Sequence, residues 1–264
     1  MLKKFLLSGA AALSAIGAAS AADLPRRAAP PMLPPVPIFT WTGAYFGINA
    51  GYISSDRSIV RTVGLNGQNG VINGVRPGAV RLDNDGFTGG GQIGYNYQVG
   101  NFVLGVEADA AYTDIDRTVG FVGNTGALSI FRQRLDYLGT VRGRVGLAFD
   151  RVLVYGTGGF AYGDTGYAAS FRNVAGATTF AGARSRLDTG FAAGGGIEYA
   201  LPVDSFLNFF RSSAVTIKAE GLYYDLGRRT IVVNGLAGGL PYASRFETKG
   251  FIARAGLNYK FGTF

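Results

Sequence analysis

The sequence predicts an all-β fold: an eight-stranded antiparallel up-and-down transmembrane β-barrel with long extracellular loops. Three observations predict it. A period-two apolar pattern recurs about eight times from Trp41 onward, and the connections between those stretches alternate long and short. Beyond the N-terminus, no stretch reaches the ~18 uninterrupted apolar residues that a spanning helix needs, although mean hydropathy is positive. In lipid every backbone N–H and C=O must be satisfied internally, so a chain crossing by strands must close on itself.

Composition agrees with that class. Glycine accounts for 42 of 264 residues and charged residues for only 16%, against a usual charged share of about 25%. Cysteine and histidine are both absent. That removes disulfides, thiol nucleophiles, the commonest metal ligand and the commonest general base.

Lys3 and Lys4 precede an apolar stretch from Phe5 to about Ala18, followed by the small residues Ala19 to Ala22. This is the pattern of a cleaved secretory signal, assigned to residues 1–22. Its removal would take two lysines from the formal charge of +8, leaving +6. Six of the nine prolines lie between Leu24 and Pro37, so residues 23–40 read as an extended periplasmic leader and residues 41–264 as the barrel.

The strands follow in order. Ala44 to Ile53 is the first, and Phe87 to Val99 shows the alternation best: Phe87, Ile93, Tyr95, Tyr97 and Val99 oppose Thr88, Gln92, Asn96 and Gln98. After a tight Gly100-Asn101 turn, Phe102, Leu104, Val106 and Ala108 oppose Glu107 and Asp109. Leu135 to Phe149 repeats the arrangement, with Asp136, Arg142 and Arg144 on its polar side, and Asp150-Arg151 makes the second tight turn. Val152 to Gly163, Leu187 to Tyr199, Val215 to Leu226 and Phe251 to Phe261 complete the set, each near or above the 9 to 11 residues of an oblique crossing. Long connections are expected at Ser54–Asp85, Thr113–Arg132, Asp164–Arg186 and Gly227–Thr248, and a shorter one from Ala200 to Ser213.

A soluble eight-stranded barrel of the lipocalin type shares this strand count, but its apolar side chains line the lumen. Here charges of both signs share strand faces opposite Val, Leu, Ile, Phe and Tyr, which suits a polar interior and a lipid-facing exterior. Glu107, Asp109, Asp136, Arg142, Arg144, Glu198, Lys218, Glu220 and Arg254 are therefore expected inside, with Glu107 and Asp109 pairing with Arg142 and Arg144 across adjacent strands. Eight strands enclose a space that side chains just fill, so these charges should form a plug.

Arginine outnumbers lysine twenty to five, and many arginines fall in the long connections. Guanidinium forks suit phosphate and carboxylate, which makes Arg57, Arg61, Arg76, Arg81, Arg184, Arg228 and Arg229 candidates for contact with outer-membrane lipids and lipopolysaccharide. Gly-rich pieces such as Gly156-Thr157-Gly158-Gly159 lie inside strands and lack the following helix of a phosphate cradle. Asp83-Asn84-Asp85-Gly86 only partly matches a calcium loop and reads as a turn.

The chain also resembles a family, the small alphaproteobacterial outer-membrane proteins with an OmpA-like transmembrane barrel, often called porin-family proteins. The resemblance rests on Ala22-Asp23-Leu24-Pro25, on Trp41-Thr42-Gly43-Ala44-Tyr45-Phe46-Gly47, on Gly194-Gly195-Gly196-Ile197-Glu198-Tyr199-Ala200 and on Lys218 to Gly227. In the final strand Arg254, Gly256, Tyr259 and Phe261 resemble the C-terminal signal read by the barrel assembly machinery. Such barrels usually end on the signal's aromatic residue, whereas Gly262-Thr263-Phe264 follow here; strand parity favours Phe261 over Phe264. OmpA-like proteins with a periplasmic peptidoglycan-binding domain continue well past the last strand, and no such domain is expected here.

These readings place the chain in the cell outer membrane, after signal-dependent export, as a structural barrel that supports envelope integrity and surface contacts. A narrow diffusion channel and a surface adhesin are the alternatives. No catalysis, cofactor, metal or nucleic-acid partner is expected, and no oligomeric state is implied.

Overall fold

In a computed structural model of the chain, residues 39–55, 58–202, 205 and 207–262 are described. The signal peptide and nearly all of the leader lie outside the described residues, as do Arg57 and Phe264.

Ten strands form in chain order: β1 (Gly43–Ser55), β2 (Ile59–Gly64), β3 (Ala79–Arg81), β4 (Asp85–Val99), β5 (Phe102–Val122), β6 (Leu128–Phe149), β7 (Val152–Arg172), β8 (Thr178–Ala200), β9 (Ala214–Gly235) and β10 (Tyr242–Phe261). Each of the eight long strands pairs antiparallel with its neighbours in the order β1-β4-β5-β6-β7-β8-β9-β10. β10 then pairs back onto β1, from Ala44 opposite Phe261 to Ser55 opposite Gly250, which closes the ring. β2 and β3 are short additions that extend the wall beside the outer end of β10. Among the described residues no helix is long and apolar enough to cross a membrane.

Three of the four connections expected as long loops are mostly strand, and the first, between β1 and β4, holds only the short β2 and β3. β5 and β6 continue to a turn at residues 123–127, β7 and β8 to one at 173–177, and β9 and β10 to one at 236–241. Each of β5 to β10 has at least 20 residues, about twice what one crossing requires, so their outer halves stand beyond the bilayer as a β-crown. Two turns share one chemistry: Gly126 and Gly176 take positive φ of 80° and 84°, and Gly123 N–H and Asn173 N–H donate to the carbonyls of Ala127 and Ala177. At the opposite end the two-residue turns carry Gly100 and Asp150 at positive φ.

Two defects in the ladder explain why period-two reading stopped early. β6 carries an extra residue, Asp136, between Leu135 and Tyr137, and inward parity passes from odd to even there: Phe131, Gln133 and Leu135 are buried above it, Leu138, Thr140 and Arg142 below. β9 has two residues, Leu226 and Gly227, against Thr248 of β10, with Gly227 at a φ of 83°. Above that bulge the buried residues are Ile231 and Val233 rather than the even ones.

Exposed aromatics mark the bilayer. Tyr52, Phe87, Tyr112, Tyr137, Phe160, Phe191 and Phe251, with the half-buried Tyr223, put one ring on each long strand at the crown side. Phe46, Tyr97, Phe102, Phe149, Tyr199 and Phe261 form the girdle near the short turns. The interior is layered. Near the short turns Trp41, Val103, Leu153 and Ala200 cluster, with Phe39 packed against Trp41. The charged residues lie above them, and Ile53, Leu138, Leu222 and Ile252 make a second apolar layer. Phe131, Phe171, Tyr242 and Phe246 fill the crown. The charges form one layer between apolar ones, so the inward face is more apolar than the expected polar interior.

Candidate functional site: the charge layer of the lumen

Inward parity on five strands delivers the site. Glu107 and Asp109 come from β5, Arg142 and Arg144 from β6, Glu198 from β8, Lys218 and Glu220 from β9, and Arg254 from β10; all eight are buried. Adjacent strands set opposite charges in register, with Glu107 opposite Arg142, Glu198 opposite Lys218, and Glu220 opposite Arg254.

The contacts go well beyond neighbours. Arg142 is the hub: its Nη2 donates to Glu107 Oε1 at 2.6 Å and Asp109 Oδ1 at 2.9 Å, and its Nη1 reaches Glu220 Oε1 on β9 at 2.9 Å. Arg254 Nη2 contacts Asp109 Oδ1 at 2.9 Å and Glu220 Oε2 at 2.7 Å. Arg144 Nη2 donates to Glu198 Oε2 at 2.7 Å, and its other nitrogen lies 3.7 Å from Glu107. Lys218 Nζ sits 2.9 Å from both oxygens of Glu107. Because β5 and β9 are separated by three strands in either direction around the ring, that pair spans the full width of the lumen.

Four carboxylates thus face four cations, and no isolated charge is left in the layer. Desolvating these ions costs several kcal/mol each, which only dense pairing and further hydrogen bonds offset. The further bonds are present. Tyr45 Oη donates to Glu107 Oε2 at 2.7 Å and Tyr155 Oη to Glu220 Oε1 at 3.1 Å. Thr140 Oγ1 donates to Asp109, and Thr216 and Asn258 donate to Glu198. The Arg144 guanidinium also lies 3.9 Å from the centre of the Tyr155 ring. Gly94 and Gly196 leave room for the Tyr45 and Tyr155 rings, where a methyl group would collide with each.

Asp136 does not belong to this layer. It is the bulged residue of β6, half exposed outside, with Arg134 at 3.5 Å. Strand parity alone predicts Asp136 inside, and the extra residue at this bulge shifts that parity. Tyr45, Tyr155, Thr140, Thr216 and Asn258 were not among the expected site residues; Tyr45 and Asn258 lie on the inward parity of strands already recognised, and that was the available signal.

The arginines singled out for surface contact divide. Arg76 is buried, and its Nη1 donates to the carbonyls of Leu128 and Arg172 at 3.0 and 3.1 Å, so it ties the first outer connection to the crown and is not open to a lipid. Arg184 and Arg229 turn toward the buried Asp188, at 3.9 and 2.6 Å, where the ladder between β8 and β9 is interrupted from Ala181 to Phe191. Tyr167 and Thr165 complete the partners of Asp188. Arg61, Arg81 and Arg228 are exposed, and Arg57 lies outside the described residues. In the crown, the Arg132 fork holds the Asp116 carboxyl below the ordinary carboxylate pKa.

In the final strand, Gly256 faces the lumen where a side chain would press on Lys218 and Gln92. Tyr259 and Phe261 face outward around Phe46, with ring centres 5.8 and 5.4 Å from it.

This architecture agrees with what the chain is similar to. The 31 kDa outer-membrane immunogenic protein of Brucella melitensis is 33% identical over 263 residues, which cover 98% of this chain and 100% of that protein. The chain belongs to this family of alphaproteobacterial outer-membrane proteins. The 22 kDa outer membrane protein of Rhizobium leguminosarum is 31% identical over 196 residues, 73% of this chain and 67% of that one. No family model matches the chain. Among solved structures, the outer membrane protein OprG from Pseudomonas aeruginosa superposes with a TM-score of 0.50 at 14% identity, covering 86% of this chain and 100% of that one, a likeness of fold. Family membership places the protein in the outer membrane; in barrels of that membrane the short turns and both chain ends lie on the periplasmic side.

Proposed function

We propose that the protein is a structural barrel of the outer membrane, closed to solutes by its own charge layer, which carries a β-crown into the surroundings of the cell. The observation that carries this reading is the direct contact of Lys218 with Glu107 across the width of the lumen at 2.9 Å, with Arg142 filling the space beside it. A water-filled path needs room between opposite walls, and here opposite walls touch. Apolar layers on either side of the charges add to the closure.

Catalysis has little to work with. The sequence offers neither histidine nor cysteine, and each carboxylate of the layer is already held by cations. The Brucella relative is named as immunogenic, which supports surface display of the crown as its second role. Liposome swelling tests the closure: vesicles carrying the protein should swell in isosmotic arabinose no faster than empty ones. Swelling at a rate proportional to protein content would favour a diffusion channel.

A further inference from the structure

On the outer wall, above the bilayer, β2, β3, β9 and β10 present a rising series of cations. Lys249 and Asp225 are cross-strand partners two residues beyond the Tyr223 and Phe251 rings, and Arg228 lies opposite Glu247. Glu247 joins the two cations, at 2.6 Å from Arg228 Nε and 3.5 Å from Lys249 Nζ, in a cleft of about 360 Å³. Farther out, Arg245 lies directly opposite Arg61, both exposed and neither with a carboxylate partner among the described residues. Arg81 stands on the neighbouring strand, exposed and likewise without one.

Like charges directly opposite on a sheet repel and destabilise the pairing. Arg61 and Arg245 are held in that position by the ladder, so a bridging anion would relieve them. From Lys249 to Arg245 is four residues of one strand, about 13 Å at roughly 3.3 Å per residue. An occupant with anionic groups at two heights meets both levels, and at the lower one it shares Arg228 and Lys249 with Glu247.

Below the aromatic pair of Tyr223 and Phe251, whose centres are 5.1 Å apart, the same wall becomes smooth. Ala50, Ala219, Gly221, Ala253 and Ala255 leave a trough of about 900 Å³ beside Tyr52. Exposed alkane-like surface at that depth suits acyl chains, and the cations above it suit their headgroup.

We propose that this wall is a binding site for a polyanionic glycolipid of the outer leaflet, lipopolysaccharide by class. Its acyl chains occupy the trough, its lipid-proximal phosphate meets Lys249 and Arg228, and its outer anionic groups bridge Arg61 and Arg245. The site depends on the protein's place in the membrane and not on whether the lumen conducts.

Binding of rough-type lipopolysaccharide, phosphatidylglycerol and inorganic phosphate to the full chain in detergent micelles tests the proposal. Lipopolysaccharide should bind the wild type at least tenfold more tightly than the Arg61→Ala/Arg245→Ala double variant, with heat-modifiable gel mobility showing both folded. Should the alanine pair fail to fold, Arg61→Gln/Arg245→Gln serves instead. Gly221→Leu, which places a side chain in open space within the trough, should weaken binding too, whereas Arg132→Ala on the far wall should not. Unchanged affinity in the double variant, equal binding of phosphatidylglycerol, or displacement of lipopolysaccharide by millimolar inorganic phosphate would overturn it.

Discussion

Arg142 is the side chain on which the proposed closure of the lumen most depends. Its guanidinium engages Glu107, Asp109 and Glu220 together, a task that suits a rigid fork with five donors and not the point charge of lysine. Removing one partner of a buried ion cluster leaves the others uncompensated, which costs about 3 to 5 kcal/mol. Arg142→Ala should therefore lower the midpoint of urea unfolding in micelles by that equivalent, and an unchanged midpoint would refute the role. Residue by residue, much of this layer was legible, because a charge on the inward parity of an otherwise apolar strand has nowhere else to go. Asp136 was misread because a bulge is a backbone event that leaves no mark in side-chain polarity. Tyr45 and Tyr155 escaped notice because tyrosine suits a girdle as well as a lumen, and only the glycine floors at Gly94 and Gly196 decide between them.

Strands and their ends set how far the barrel reaches. The membrane-crossing halves of the eight strands were readable from alternation alone, since one face must satisfy lipid. Their outer halves were not. There the outward face becomes charged, as at Asp114, Asp116, Arg132 and Arg134, and two bulges invert parity, so the period-two signal fades although the ladder continues. The β9 bulge depends on Gly227, whose φ of 83° a β-branched residue strongly resists. Gly227→Val should loosen the crown while sparing the crossing: limited proteolysis of the variant should cut residues beyond 227 and leave a protected, heat-modifiable core. Uniform resistance like that of the wild type would count against the bulge as the crown's anchor. At the other end of the molecule, we take Phe261 as the residue read during assembly, since it closes β10 and stacks on Phe46 of β1 at 5.4 Å. Phe261→Ala should reduce the heat-modifiable fraction recovered from outer membranes several-fold, whereas deletion of residues 262–264 should not. The reverse pattern would assign the signal to Phe264.

At the scale of the whole barrel, the described residues make a closed ring whose interior is stacked in layers: aromatic and apolar near the short turns, beside the buried Lys260, ionic above, apolar again, then a packed crown. The ionic layer is balanced, with four carboxylates and four cations, and this balance supports the proposed closure. Strand number limits the bore, and diametric contact between Lys218 and Glu107 removes what remains of it. Single-channel recording in planar bilayers tests this closure most directly. The wild-type protein should give a flat baseline at applied voltages that leave the bilayer intact, and stable, repeated conductance steps from it would contradict the account.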